Sequence, residues 1–227
     1  MLRDFGPGEV LFLLLATRWT IALAVTALVG GGTLGLILAI LRISPSAPAR
    51  VAAALYIQLF QATPILLLLM LLYFGINLFG LRIDAWAAAG IGFTLSTAAF
   101  LGEIWRGCIE AVPKRQSEGA YALGLTFWRT LVLVILPQAL RMALPPTVGY
   151  MVQVIKGTSV AALIGFTELA RAGAQMNTIT FQPLLVFGTV AAIYFALCWP
   201  LSLLSRRLER RLNVGAAPVQ RQVAAVM

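Results

Sequence analysis

Residues 113–141, PKRQSEGAYALGLTFWRTLVLVILPQALR, form a soluble-looking island in an otherwise apolar chain. The stretch opens on a proline and two cations, passes through a serine, a glutamate and small residues, and closes in an apolar run. Pro113 stops the helix before it, Ser117 is placed to cap a new helix, and Glu118 falls in its first turn, where a negative charge complements the dipole. Ala120, Gly124, Phe127, Trp128 and Leu131 share one side at helical spacing, and a glycine there lets another backbone approach. Such a helix needs a partner groove or a membrane surface to bury its apolar side.

Around this island the chain is that of a membrane protein. Of its 227 residues 60% are hydrophobic and 11% charged, and the mean hydropathy is +0.92, well above a soluble domain. The net charge of +9 comes from short cationic clusters between apolar runs. That is the pattern of membrane topology; a nucleic-acid binder shows a basic stripe interleaved with aromatics. The chain has no histidine, and Cys108 and Cys198 lie far apart, which argues against a metal site or a Cys/His nucleophile pair. The early run VLFLLLA meets Arg18 before any plausible cleavage site, so the first span is expected to do the targeting.

A span needs about 20 residues, so charges punctuate the chain. The first span is expected between Arg18 and Arg42, followed by a turn through Ser44, Pro45, Ser46 and Pro48 that ends at Arg50. The second uncharged run, Val51 to Leu81, is long enough to tilt or break, with Thr63-Pro64 as the break. The third span starts near Ala85 and carries Glu103, Arg106 and Glu110 on one face of its last turns. The fourth runs from about Thr130 to Ile155, interrupted by Arg141 and kinked at Pro137, Pro145 and Pro146. Residues 157–182 hold an apolar piece too short to cross, and the fifth span runs from about Pro183 to Ser205, before RRLERR.

Cation counts set an orientation. Arg42 and Arg50, then Lys114, Arg115 and Arg129, then Arg206, Arg207, Arg210, Arg211 and Arg221 share one side. The other carries Arg3, Arg18, Arg82, Lys156 and Arg171, offset by Asp4, Glu9, Asp84 and Glu168. The positive-inside rule then puts the N-terminus outside and the C-terminus, with a tail over 211–227, in the cytoplasm. The expected fold is an all-α polytopic helical bundle of about five transmembrane helices, one transmembrane domain over 1–227 with its core at about 17–210.

The motif Glu118-Gly119-Ala120, with Gly124, followed by Leu136-Pro137 in I-L-P, resembles the EAA loop of ATP-binding-cassette importer permeases. The segments QATPILLLLMLLYFG, AAFLGEIWRGCIEAVPKRQ, LPQALRMALPP and KGTSVAALIGFTEL resemble those of permeases for polar amino acids. The resemblance implies that 114–130 is a cytoplasmic coupling segment docked on a separate ATPase, using Glu118, Gly119, Ala120, Gly124, Phe127, Leu136 and Pro137. It implies as partners an ABC ATPase subunit, a second permease subunit, identical or homologous, and an extracytoplasmic amino-acid-binding protein, in a bacterial plasma (inner) membrane. The chain lacks the G-x-x-x-x-G-K-[ST] phosphate loop, so no cofactor is expected in it; ATP and Mg belong to the partner, and this chain is a transport subunit without catalytic residues. Two departures stand out: Gly119 replaces the usual first Ala, and Gln61-Ala62 stands where relatives carry Arg-Gly.

For the path itself, Glu103 is a charge on a spanning helix and a functional candidate on that ground, with a salt bridge to Arg106 as its structural reading. Thr63 sits at a helix break whose freed backbone groups can hold a substrate carboxylate or amine, and a plain kink explains it equally well. Lys156, Thr158 and Ser159 resemble a family segment lining the path, against a solvated loop end. The alternative for the whole chain is a secondary amino acid transporter or channel, for which Glu103 and Glu110 are the available coupling carboxylates.

Overall fold

The computed structural model describes residues 4–78, 80 and 82–212. Helix α1, Pro7–Ile43, starts earlier than the charge pattern predicts, and Arg18 lies inside it. Pro7 stands at the first helical position, and the Gly6 N–H donates to the Glu9 carboxylate (2.9 Å), which satisfies an end group that helices leave unpaired. Arg18 is tolerated because its guanidinium turns outward and lies 5.4 Å from the Trp19 ring centroid. Ser44-Pro45 ends the helix, and Arg50 clasps the turn by donating to the Ser44 and Pro45 carbonyls (2.9 and 2.7 Å).

Helices α2, Ala47–Ala62, and α3, Ile65–Leu78, meet at Thr63-Pro64 with a bend of 99°. Pro64 cannot donate to the α2 ladder, so the bend falls where the sequence predicts. Gln61 donates to the Ala99 carbonyl (3.3 Å), which places the bend near the middle of helix α4, Ala85–Glu110. Asp84 caps α4 through the Ala87 N–H (2.6 Å). The helix of the segment between α4 and the next span is α5, Lys114–Ala122. Helix α6, Phe127–Ile164, contains a wide π turn over Leu131–Ile135 and tightens to 3-10 geometry over Thr158–Ile164. Helix α7, Leu169–Thr180, is short, and α8, Pro183–Leu212, runs through the RRLERR cluster. Residues 213–227, most of the expected tail, lie outside the described residues, as do Arg3 and Leu81.

Among the described residues, α1, α4, α6 and α8 are long and apolar enough to cross a membrane, and the bent α2–α3 pair supplies a fifth span if counted as one. Its start lies in a cavity wall with Ile109 and Glu110 at the end of α4, while Asp84 beyond its far end shares a cavity with Trp19 and Trp86 at the opposite end. Counted as one span, the pair brings the candidates to the expected five.

Helices α1 and α4 run parallel and pack most closely where side chains vanish. A Cβ on Gly35 would stand 3.0 Å from the Ala98 carbonyl and 3.1 Å from the Gly102 nitrogen; one on Gly31 would overlap Thr97 at 2.5 Å. Small residues drive such contacts in lipid, where apolar burial between helices contributes little. Leu23, Ala27, Leu69, Ala88, Phe93, Val154 and Ile164 then bring α1, α3, α4 and α6 into one core. Outward faces carry Leu14, Val29, Leu184 and Phe195 in the open, as helices surrounded by lipid or another subunit do.

Candidate functional site

The segment between α4 and α6 differs from the single helix that its spacing predicts. Pro113, in an extended conformation, starts α5 directly at Lys114. Ser117 is therefore not the cap. It lies one turn in, and its hydroxyl donates to the Lys114 carbonyl (2.8 Å). Glu118 is the fifth residue of the helix rather than a first-turn charge, and it is exposed. Gly124 adopts a φ of +77° and ends the helix: its N–H donates to Tyr121 O (2.9 Å) and the Leu125 N–H to Ala120 O (3.1 Å). This is the glycine-terminated Schellman arrangement, in which the left-handed residue excludes a Cβ at little cost only when it is glycine. Helical spacing thus continues through Gly124 in the sequence but not in space, and Thr126 precedes a new helix rather than facing away from the old one.

Packing divides the motif residues. Ala120 is 5% exposed, and Phe127 and Leu136 pack on a cluster of Val112, Leu131, Ile135 and Ala139 that also takes in Ile43 and Ile109. Glu118, Gly119, Gly124 and Pro137 are exposed. So are three large side chains on the same segment, Tyr121 (48%), Leu123 (83%) and Trp128 (51%). One side of the segment is thus fastened to the bundle, and the other presents aromatic and aliphatic groups outward.

Of the path candidates, Glu103 meets Arg106 in a two-point ion pair: Arg106 Nε donates to Oε2 (2.9 Å) and a second guanidinium nitrogen to Oε1. Arg106 also reaches Glu110, so one guanidinium holds both carboxylates, and the Arg42 charge reaches Glu103 from α1. Thr63 donates to the Leu59 carbonyl (2.7 Å) at the bend. Lys156 is exposed, and Ser159 donates back to its carbonyl (2.8 Å). Thr158 is fully buried, which sets aside a solvated loop end for that residue. Trp105 pairs with Thr147 across α4 and α6 (2.9 Å). Measured from that pairing, Glu103 and Lys156 are separated by about seven helical residues along the bundle, roughly 10 Å, so these two do not meet within one chain.

A buried carboxylate that the sequence reading treats only as a loop charge anchors the opposite side. Glu168 is 0% exposed. One oxygen accepts from the Arg171 N–H (2.9 Å); the other accepts from the Ala170 N–H (2.9 Å), Tyr194 OH (2.7 Å) and, at longer range, Thr20 OH (3.4 Å). Thr20 in turn accepts from the Leu169 N–H (3.1 Å). Glu168 thus caps α7 and ties it to α1 and α8. The available signal was its place one residue ahead of an apolar helical start, an N-cap position.

Known proteins match this architecture over most of its length. A probable amino-acid ABC transporter permease protein of Bacillus subtilis, YckA, is 36% identical over 193 residues, 85% of each chain. The glutamine transport system permease protein GlnP of Escherichia coli is 35% identical over 199 residues, 87% of this chain and 91% of its own. A solved amino acid ABC transporter, crystallised with histidines, superposes with a TM-score of 0.83 at 30% identity, covering 88% of this chain and 94% of that one. Residues 31–214 match the profile described as binding-protein-dependent transport system inner membrane component, and the chain belongs to that family of membrane-spanning importer subunits.

Proposed function

We propose that this chain forms, with a second permease copy or close homologue, the path for a polar amino acid, and that α5 with the turn at Gly124 docks on a separate ATPase subunit. The observation that carries the coupling role is the outward pair Leu123 and Trp128 on a segment whose inner side is fastened by Ala120 and Phe127. Exposed apolar side chains beside Glu118 and Gly119 fit a protein groove better than water. Glu118, Gly119, Ala120, Gly124, Phe127, Leu136 and Pro137 act together, the exposed ones as contact surface and the packed ones as anchor. The relatives' amino acid cargoes support the substrate class, and their family supports delivery by an extracytoplasmic binding protein.

The cationic loops support an N-terminus outside and a C-terminus inside, in a bacterial plasma membrane. ATP and Mg belong to the partner, whose closure moves the two coupling segments and rocks the bundles about the path. Glu103, Thr63, Lys156, Thr158 and Ser159 remain the path candidates. The separation of Glu103 from Lys156 within one chain supports a path completed by a second subunit. Both acidic candidates for a gradient-driven carrier are held by Arg106, which favours the ATP-driven reading.

The test is co-expression with an ABC ATPase and an amino-acid-binding protein, followed by purification and uptake of a labelled amino acid panel into vesicles. ATP-dependent uptake, lost when Leu123 and Trp128 are replaced together by Ser, is the expected result. Uptake that follows an ion gradient without ATP refutes it.

A further inference from the structure

A cavity of about 820 Å³ opens between the α1–α2 turn, the end of α4 and the inner side of α5, with Arg42, Arg50 and Lys114 in its wall. Its acid, Glu110, is engaged by Arg106, so the wall presents excess positive charge. Two wall groups lack hydrogen-bond partners. Arg42 Nε is buried without an acceptor, and the hydroxyl of Thr130, a residue only 2% exposed, is buried with none either. Buried polar groups of this kind are normally satisfied, and both can donate to an anion. Arg50 spends one guanidinium nitrogen on the Ser44 and Pro45 carbonyls.

Ile109 also lines a second cavity, about 210 Å³, whose wall comprises Leu36, Ala39, Trp105, Leu136, Leu140 and Ala143. The two share Ile109 and lie one above the other along α1, α4 and α6, with the cationic one at the end of the spans and the apolar one within them. A cationic mouth at headgroup depth joined to an apolar slot at acyl-chain depth matches an amphiphile with an anionic head. It does not match a free phosphate, which would have no use for the slot.

We infer that this pair of cavities is a binding site for one anionic glycerophospholipid of the cytoplasmic leaflet. Its phosphate meets Arg42, Lys114 and Thr130, and an acyl chain lies against Ile109 and Trp105. Basic pockets on the cytoplasmic side of helix bundles hold acidic headgroups by this charge complementarity. The inference rests on the cytoplasmic placement proposed above. It does not depend on transport, so the two can fail separately.

The test uses the full chain with its ATPase subunit in phosphatidylcholine vesicles, with Trp19, Trp86, Trp128 and Trp199 replaced by Phe so that Trp105 alone fluoresces. Phosphatidylglycerol with brominated chains should quench Trp105 more than brominated phosphatidylcholine at equal mole fraction. Arg42→Gln and Lys114→Gln should each lower that preference by about fivefold, and inorganic phosphate should not reverse it. Equal quenching by both lipids, or a preference that survives both substitutions, overturns the proposal. Reversal by inorganic phosphate means a free-anion site and also overturns it, as does a preference seen only after the ATPase subunit is removed, which would make the cavity part of that subunit's dock. If the Phe replacements fail to fold, native mass spectrometry of the complex with its tryptophans intact gives the same comparison, as retained phosphatidylglycerol with and without Arg42→Gln. Needing neither ATP nor uptake, both readouts separate this inference from the permease reading, and thiol labelling from outside tests the placement independently.

Discussion

Replacing Gly124 separates two requirements that its position combines. The residue holds a φ of +77°, and a Cβ built there meets nothing within 4 Å in the isolated chain. The chain itself therefore resists substitution only through backbone conformation. An alanine at a left-handed position costs roughly 1–2 kcal/mol, a five- to thirty-fold shift toward a frayed end of α5, whereas asparagine visits that region far more readily. Inside the permease, Gly124→Asn should be the milder change, read as slower proteolysis of the 114–130 segment in detergent than for Gly124→Ala. Against a docked ATPase the order reverses. Asparagine, the larger side chain, sits where the groove wall is expected, and Gly124→Asp adds a buried charge. ATPase co-purification and binding-protein-stimulated hydrolysis should therefore fall in the order Ala, Asn, Asp, with all three variants inserted in the membrane at normal yield. The same rank order in both assays would show that conformation alone matters and that nothing docks at this turn. Wild-type behaviour of all three in both assays would remove the coupling role of the segment.

Glu103→Gln should leave the yield of folded protein near normal, because Glu110 still balances Arg106 and a pair one-third exposed contributes about 1 kcal/mol or less; a transport loss measured beside that yield would come from the path, and a collapse in yield would contradict the argument. Glu168→Ala should lower stability by about 3 kcal/mol, since it removes the α7 cap and leaves the Tyr194 hydroxyl without its acceptor. Thermal melting in detergent checks this, and an unchanged Tm refutes it; Tyr194→Phe in the Glu168→Ala background should then add little. In a chain without Cys108 and Cys198, single cysteines at 42 and 115 should resist an impermeant thiol reagent in intact cells while one at 84 reacts. Labelling of 115 from outside would reverse the orientation.

Sequence made the spans legible because charge and proline act locally. Arg42 and Arg50 mark a turn, Pro64 removes a donor, and the bend falls there. It failed where a local signal competes with a neighbour's geometry. Ser117 looks like a cap by composition, but Pro113 four residues earlier already fixes the start of α5. Gly124 reads equally as a close-approach glycine on a helix face or as a left-handed terminus, and only the backbone angle decides. Arg18 looks like a boundary if its charge is taken to face lipid; its position beside Trp19 in the N-terminal part of a 37-residue helix shows otherwise. Glu168 was hidden for a different reason. Thr20 and Tyr194 are 148 and 26 residues away from it, and no pattern in one sequence joins them.

The crossing of α1 and α4 limits what mutation can explore. At most tight contacts a larger residue on one helix can be rescued by a smaller one on the other. At Gly35 the obstacle is the carbonyl of residue 98 and the nitrogen of residue 102, and at Gly102 it is the carbonyl of residue 35. Backbone atoms are the same for every amino acid, so no second-site change can make room. A randomised library spanning both helices should return glycine at 35 and 102 in functional clones, while the Gly30–Thr94 contact, made against a side chain alone, should yield compensated pairs.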